Sequence, residues 1–560
     1  MRASNTRTGG QILVDQLVAQ GVEHVFCVPG ESYLAVLDAF HDAKLNITVC
    51  RQEGGATMMA DASARLTGRP GIAFVTRGPG ATNAMPAIHI AEHDDVPLIL
   101  FVGQVGREMR ERGAFQEMNY RALFGSTTKW ATEIDDPARI PEIVSRAFHV
   151  AMQGRPGPVV IALPEDMLTE QAAVEDAARV TRVETYPGKQ QMAELQKLLS
   201  EAKAPIVILG GGGWTPGAVD DMRGFAERFA LLVSTVFRRA MLFDYGHPSY
   251  IGELGISPNP KLKARIESAD LVLIIGDRMA ELQSQAYTLF EIPNPRQKLV
   301  HVHADAEELG RVYHPHLAIH ATPAAFCAAL ADLQPPKDIA WANATRDSRA
   351  DYIAWTEKPS PSPGAVHIGE LAIFVRDHIP ADAIITNGAG NFAGWVQRYM
   401  RYRAFGTQLA PTSGSMGYGV PAAVGAKRVQ PHRMVICFAG DGDFLMNGQE
   451  FATAVQYELP IIVILLDNGM YGTIRMHQER DYPGRISATA LKNPDFAAYA
   501  RAFGGHGETV ERTEDFGPAF ERALASGKPA IIHTKVDPEA ITPTMTLSQI
   551  REKAVAGKSR

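Results

Sequence analysis

Short runs of consecutive apolar residues alternate along this chain with longer stretches of helical spacing. In the first third the runs are VEHVFCVP, ITVC, GIAFVT, PLILFVG and PVVIALP. Apolar runs of this length bounded by turn residues predict strands buried on both faces, and the helices between them predict a parallel sheet. A second set follows in APIVILGGGG, LLVSTV, ADLVLIIGD and KLVHVHAD, and a third in ADAIITN, RMVICFAGDGD, LPIIVILLDN and KPAIIHTKV. Two stretches interrupt the pattern. TEQAAVEDAARVTRVETYPGKQ loses apolar periodicity, and EKPSPSPGA carries Pro359, Pro361 and Pro363; both predict linkers. The expectation is an α/β chain of three doubly wound parallel-sheet domains, over residues 1–180, 190–345 and 364–545, with a tail at 546–560.

Composition narrows the classes. A chain of 560 residues is too long for one core. The net charge of −7 argues against a nucleic-acid binder, which usually carries a basic patch. No run of 18 apolar residues predicts a membrane span, and the opening MRASNTRTGGQILVDQLVAQGV has helical spacing rather than the form of a signal peptide. Cys27, Cys50, Cys327 and Cys437 are scattered in apolar contexts, which predicts reduced thiols and a cytoplasmic location.

The chemistry gathers where two predicted strands end. FAGDGDFLMNGQEFATAVQYELPIIVILLDNGMYG reads as strand, Gly-Asp-Gly turn, helix and strand, and it presents Asp441 and Asn468 at the two strand ends. Ligands of parallel sheets bind beyond the carboxyl ends of strands. Glycines allow close backbone approach, and free N–H groups at a helix start attract phosphate. Asp441 would repel a bare phosphate there, and a divalent cation resolves the conflict. Asp441 and Asn468 are hard oxygen ligands suited to Mg²⁺. Gly-Asp-Gly and Asp-Asn-Gly are also ordinary turn formers. Their pairing, 27 positions apart with a helix between, favours the ligand reading.

At this spacing the chain resembles the thiamine diphosphate-dependent enzymes. The resemblance implies that Asp441, Asn468 and the backbone carbonyl of Met470 hold Mg²⁺ against the cofactor's diphosphate. It further implies cofactor contacts at Gly440, Gly442, Asp443, Tyr471 and Gly472. In SGSMGYGVPAAVGAK it implies that Met416 wedges under the thiazolium and that the Gly414 carbonyl accepts from the pyrimidine amine. VCRQEGGATMMADASARLTG places Glu53 where the family has the carboxylate that activates the pyrimidine.

Over nearly its whole length the chain is similar to acetolactate synthase large subunits, in GRPGIAFVTRGPGATNAMPAIHIAEHDDVPLILFVGQV, GAFQE and NGQEFATAVQYELPIIVILLDN. Carried over, Phe115 and Gln116 line the substrate cavity, and Thr473, Ile474 and His477 border the substrate channel. There are departures. Glu31 in VPGESYLAVLDAF stands where synthases have a small residue, and resembles the acid of the decarboxylases. Glu165 replaces a lysine, and His477 a tryptophan. Glu31 is expected to act as a proton shuttle with a raised pKa. His89 and His93 read as helix residues without a catalytic task.

The middle segment has strand-end glycines where the synthases bind FAD, with Arg155 and Arg278 as candidate phosphate partners. The acidic run expected after Arg278 is missing, here Met279-Ala280-Glu281. FAD therefore stays open as a cofactor, and the expectation is protein without stoichiometric flavin. The resemblance implies decarboxylation of a 2-oxo acid such as pyruvate, followed by carboligation of the enamine to a second carbonyl. The alternative is an aldehyde-releasing decarboxylase or a 2-hydroxy ketone lyase. A non-catalytic cofactor-binding protein on the same fold is a third reading, against which Glu53 speaks. The family's site between subunits implies a homodimer at least, with a homotetramer compatible.

Overall fold

The strands form where the sequence is most continuously apolar. The computed structural model describes residues 6–558. The first sheet contains β1 (His24–Cys27), β2 (Asn46–Val49), β3 (Gly71–Val75), β4 (Leu98–Gln104), β5 (Trp130–Glu133) and β6 (Pro158–Pro164), all parallel, in the order β2–β1–β3–β4–β6–β5. Every residue of PVVIALP and of LILFVGQ is buried, as a sheet covered on both faces requires.

The second sheet contains β7 (Pro205–Leu209), β8 (Leu232–Thr235), β9 (Tyr250–Glu253), β10 (Leu271–Ile275), β11 (Lys298–His303) and β12 (Leu317–His320), in the order β9–β8–β7–β10–β11–β12. The third contains β13 (Ile384–Asn387), β14 (Gln408–Leu409), β15 (Val435–Gly440), β16 (Ile462–Asp467), β17 (His506–Val510) and β18 (Ala530–Lys535), in the order β14–β13–β15–β16–β18–β17. The first and third sheets thus share one strand order, and the second differs. Three parallel-sheet domains, as expected from the sequence, account for the fold.

The described residues divide into two compact units. One holds the first sheet, with residues up to 183 joined by 421–431 and 449–457; the other holds the second and third sheets. The part of the expected first linker up to residue 183 is held down within the first unit. The fully buried Gln16 and Gln20 exchange hydrogen bonds with the backbone of Ala177, Ala178 and Val180, replacing a sheet partner for that extended segment.

Six helices matter below: α1 (Glu53–Thr67), α2 (Gly78–His93), α3 (Ala393–Tyr399), α4 (Asp441–Asn447), α5 (Gly472–Asp481) and α6 (Leu547–Lys558). His89 and His93 lie on α2, their rings 4.3 Å apart. The tail expected at 546–560 is largely α6; residues 1–5, 559 and 560, which fall in the expected first domain and tail, lie outside the described residues. α6 is bound to α5 through Glu479, almost wholly buried, whose oxygens take N–H donors from Arg551 at 2.6 Å and from Arg475 at 2.8 Å. All four cysteines are buried and unpaired. Among the described residues no helix is long and apolar enough to cross a membrane.

Candidate active site

At the carboxyl end of the third sheet, β15 and β16 are neighbours with Gly440 opposite Leu466. The next residues, Asp441 and Asp467, therefore stand level. Asp441 Oδ2 accepts the Gly469 N–H at 3.0 Å and the Asn493 amide at 2.7 Å. The same Asn493 amide reaches Asp467 Oδ1 at 2.7 Å and so bridges two carboxylates. The imidazole and ammonium partners belong to Asp467: its Oδ2 lies 2.8 Å from His533 Nε2 and 2.6 Å from Lys535 Nζ. Burial would raise the Asp467 carboxyl, but those donors hold it well below the carboxylate range. Burial instead lifts Asp441 to about 6, and the neighbouring Asp467 charge adds to the rise. A buried carboxylate whose partners are neutral N–H groups is a fit for a divalent cation, which would relieve its desolvation. Asn468 adds an amide oxygen that here takes the Met470 N–H at 3.2 Å. Among the described residues no group of three or more His, Cys, Asp and Glu side chains is placed to hold a metal; the expected set is one carboxylate, one amide and one backbone carbonyl.

A cavity of about 250 Å³ opens beside these residues. Its wall contains Gly414, Met416, Gly440, Asp441, Gly442, Asp443, Asn468, Met470, Tyr471, Gly472, Thr473 and Ile474, so twelve residues singled out from the sequence share one space. His477 follows one turn later on α5, with a buried Nδ1 that has no hydrogen-bond partner. Close packing explains two of the glycines. A Cβ at Gly442 would meet the Tyr471 ring at 2.7 Å, and Gly417, with φ +80, would meet Met446 Cβ at 2.6 Å. The Asp443 side chain ties loops together, its Oδ1 accepting the N–H groups of Gly417 at 2.8 Å and Ala389 at 3.1 Å. Burial raises its carboxyl to about 7. Thr473 Oγ1 donates to Asn391 Oδ1 at 2.9 Å, a partner that the sequence reading did not single out.

In the first unit, Glu53 is the first residue of α1, and the preceding Gln52 caps the helix by accepting the Gly55 N–H. Glu53 Oε2 accepts from Asn83 Nδ2 at 2.9 Å. The turn that delivers it is fixed by Glu450, which the sequence reading missed. This fully buried carboxylate accepts the backbone N–H of Gln52 at 2.9 Å and of Arg51 at 3.0 Å, and the Thr453 hydroxyl at 2.6 Å. Burial raises its carboxyl above the usual range.

Glu31 stands 3.5 Å from Arg77, and its side chain is 67 % exposed. Glu165, which replaces the synthases' lysine, pairs with the same guanidinium. Phe115 is 72 % exposed. Gln116 adopts φ +64, and its carbonyl accepts the Gly78 N–H at 3.1 Å.

The glycine turn after β7, which the sequence left open as a flavin site, is closely approached by side chains of this chain. The Trp214 indole N–H donates to the Gly210 carbonyl at 2.7 Å, and a Cβ at Gly210 would meet Asp277 Oδ2 at 2.5 Å. A carboxylate in that place disfavours a diphosphate. Arg155 is bound to Asp95 and Glu92 in the first unit.

Comparison with known proteins accounts for this arrangement. Residues 7–123 match the thiamine pyrophosphate enzyme N-terminal TPP binding domain, 192–330 its central domain, and 388–534 its C-terminal TPP binding domain. The acetolactate synthase isozyme 2 large subunit of Escherichia coli (strain K12) is 30 % identical over 94 % of this chain and 95 % of its own. The acetolactate synthase large subunit of Parasynechococcus marenigrum (strain WH8102) is 32 % identical over 95 % and 88 %. That of Lactococcus lactis subsp. lactis (strain IL1403) is 32 % identical over 89 % and 87 %. Three matched domains and likeness along the whole length place the chain in the thiamine diphosphate enzyme family, as a carboligase or decarboxylase similar to the acetolactate synthase large subunits.

Proposed function

We propose that the protein uses thiamine diphosphate and Mg²⁺ to decarboxylate a 2-oxo acid, pyruvate first, and joins the remaining acyl unit to a second carbonyl compound. The observation that carries this reading is the single cavity walled by Asp441, Asn468, Gly414 and Met416. In it, Asp441, Asn468 and the Met470 carbonyl would hold Mg²⁺, while N–H groups at the start of α4 would meet the diphosphate. Bound there, thiamine diphosphate supplies an electron sink for cleaving the bond between a carbonyl carbon and its carboxylate. Met416 would shape the cavity floor, and Glu53 would hold and move the proton that activates the cofactor. Thr473, Ile474 and His477 would border the substrate, with Phe115 and Gln116 on the acceptor side.

A homodimer, with a tetramer compatible, fits the wide exposure of Phe115, an aromatic ring suited to cover by a second subunit. Buried, unpaired thiols fit a cytoplasmic setting. The close approach of Trp214 and Asp277 to the glycine turn at Gly210 supports a protein without flavin. The second reading, aldehyde release or lyase chemistry, rests on Glu31, an exposed acid able to reach a ligand and deliver a proton.

The test is product analysis with pyruvate, thiamine diphosphate and Mg²⁺ across pH. Acetolactate or acetoin should dominate, with acetaldehyde rising as pH falls, and Glu31→Ala should lower the acetaldehyde share. Acetaldehyde as main product at every pH, with turnover lost in Glu31→Ala, would replace ligation by simple decarboxylation. Absence of carbon dioxide release would remove pyruvate as donor.

A further inference from the structure

The two loop donors that reach Asp441 converge on one of its oxygens. Oδ2 accepts the Gly469 N–H at 3.0 Å and the Asn493 amide at 2.7 Å. The same two donors also reach Asp467 Oδ1, at 3.1 Å and 2.7 Å. A carboxylate oxygen offers two lone-pair positions. Both positions on Asp441 Oδ2 are therefore engaged. The Gly442 N–H also lies against this carboxylate. Oδ1 is the oxygen left for a cation.

The local structure fixes Asn493 in that place. The Leu491 N–H donates to the Gly469 carbonyl at 2.8 Å, and the Tyr471 N–H to the Thr489 carbonyl at 2.9 Å. Ala490 thus pairs with Met470 as an antiparallel bridge. On the other side of Asn493, Asp495 caps the helix Phe496–Ala502, accepting the N–H groups of Ala497 at 2.9 Å and Ala498 at 3.0 Å. Asn493 stands between these two fixed points. Its amide has two hydrogens, and each carboxylate takes one. Turning the amide over would set its oxygen against both acids. Asp467 is anchored in turn through its other oxygen, Oδ2, by His533 and Lys535. Support therefore passes from His533 and Lys535 to Asp467, from Asp467 to Asn493, and from Asn493 to Asp441.

The number of oxygens that an acid can offer bears on the choice of cation. Mg²⁺ is small and demands a near-ideal octahedron, with one or two carboxylates beside phosphate and water. Ca²⁺ takes six to eight oxygens and accepts a carboxylate through both of its own. We propose that Asn493 is a positioning residue that restricts Asp441 to one oxygen, and that the site thereby favours Mg²⁺ over Ca²⁺. This rests on the reading of Asp441 as a metal ligand and adds to it a determinant of cation choice. In Asn493→Ala, Oδ2 loses one of its two loop donors, and the carboxylate is free to turn both oxygens to the cation. Asp467→Asn keeps an oxygen for Asn493 and removes only a nearby charge.

The experiment follows thiamine diphosphate binding to the full chain by calorimetry at one pH, over a range of Mg²⁺ and, separately, of Ca²⁺ concentrations. The readout is the ratio of the half-saturating Ca²⁺ concentration to that of Mg²⁺. In the wild type the ratio should lie well above one. In Asn493→Ala the Mg²⁺ affinity should fall ~10–100-fold, the usual effect of losing a partner of a metal ligand, while Ca²⁺ affinity is kept, so that the ratio falls by the same factor. In Asp467→Asn both concentrations should rise together and leave the ratio near the wild-type value. A wild-type ratio near one would overturn the proposal. So would an equal loss of both affinities in Asn493→Ala, which is what a merely structural role predicts. A ratio lowered as much in Asp467→Asn as in Asn493→Ala would assign the preference to charge and overturn it as well. Cofactor binding that needs no divalent cation in the wild type would remove the metal assignment itself, whereas cation-dependent binding with an unmoved ratio would remove only the role of Asn493.

Discussion

Glu450 accepts the backbone N–H of Gln52 at 2.9 Å, across 398 positions of sequence. The residue after Gln52 is Glu53, so a carboxylate from far along the chain sets the turn that presents the proposed cofactor-activating acid. Glu450 also takes the Arg51 N–H and the Thr453 hydroxyl. Glu450→Ala would leave these groups without their acceptor, at about 1–3 kcal/mol for each buried group. We expect kcat to fall at least tenfold with thiamine diphosphate affinity within threefold, and Glu450→Gln, which keeps one acceptor oxygen, to restore most of it. Steady-state carbon dioxide release together with calorimetry decides the matter; an Ala variant with normal kcat would deny Glu450 a positioning task.

Asp441→Ala should end Mg²⁺-dependent retention of thiamine diphosphate while the fold survives. The side chain donates nothing to the sheet; it accepts from Gly469 and Asn493, which lie in loops. Calorimetry with and without Mg²⁺ measures this, and full occupancy in the variant would refute the metal assignment.

Glu53→Gln should leave cofactor affinity nearly unchanged and slow hydrogen–deuterium exchange at the thiazolium carbon by ~10²–10⁴-fold, the usual worth of a positioned acid–base group. Exchange followed by NMR after acid quench is the readout. An unchanged rate would move the role to another residue.

Purified protein should lack the absorption of stoichiometric flavin. Trp214 and Asp277 pack the glycine turn at Gly210, and the acidic run after Arg278 is missing. One flavin per chain in the visible spectrum would contradict this reading and strengthen the likeness to the synthases.

Glu253 predicts a pH effect on stability. Burial raises its carboxyl to about 8, against the lowering effects of the Arg238 N–H and the Arg238 and Arg239 charges; Tyr250, Tyr352 and Tyr402 are its other titratable neighbours. The folded state therefore prefers the protonated acid. Its contribution to stability is fully present below the ordinary carboxylate range and is lost as pH rises through about 8. Glu253→Gln, which carries no such proton, should gain in melting temperature relative to the wild type as pH climbs from about 5 to 8. A difference that stays constant over that range would mean that the buried carboxyl is already ionised.

The fold was legible because parallel strands buried on both faces write themselves as unbroken apolar runs, as in PVVIALP. Asp441 and Asn468 were legible for a local reason: glycines and short polar residues cluster at strand ends, where a ligand would be met; the other ten residues of that cavity, Met416, Met470, Tyr471 and Ile474 among them, were named through the family resemblance. What stayed hidden depends on contacts between distant segments. Asn493 joins Asp441 to Asp467 from a loop without any motif. Glu450 sits in a helical stretch where an acid usually faces water. Glu253 ends an ordinary apolar strand, and only the assembled fold shows that one of its oxygens lacks a partner. The extended segment near Ala177 reads as a linker because its hydrogen bonds come from Gln16 and Gln20, far away in sequence.

The inclusion of residues 449–457 in the first compact unit bears on how the protein is made. Synthesis runs from the amino end at ~5–20 residues per second, so ~14–55 s separate emergence of residue 183 from that of residue 457. During that interval the turn before Glu53 has no Glu450 to accept its N–H groups, and Met59 on α1 lacks Gly425 of the 421–431 segment that packs against it. The amino-terminal portion is thus a late-maturing part of the molecule despite being translated first, and its exposed state is the window in which a chaperone or a protease would meet it.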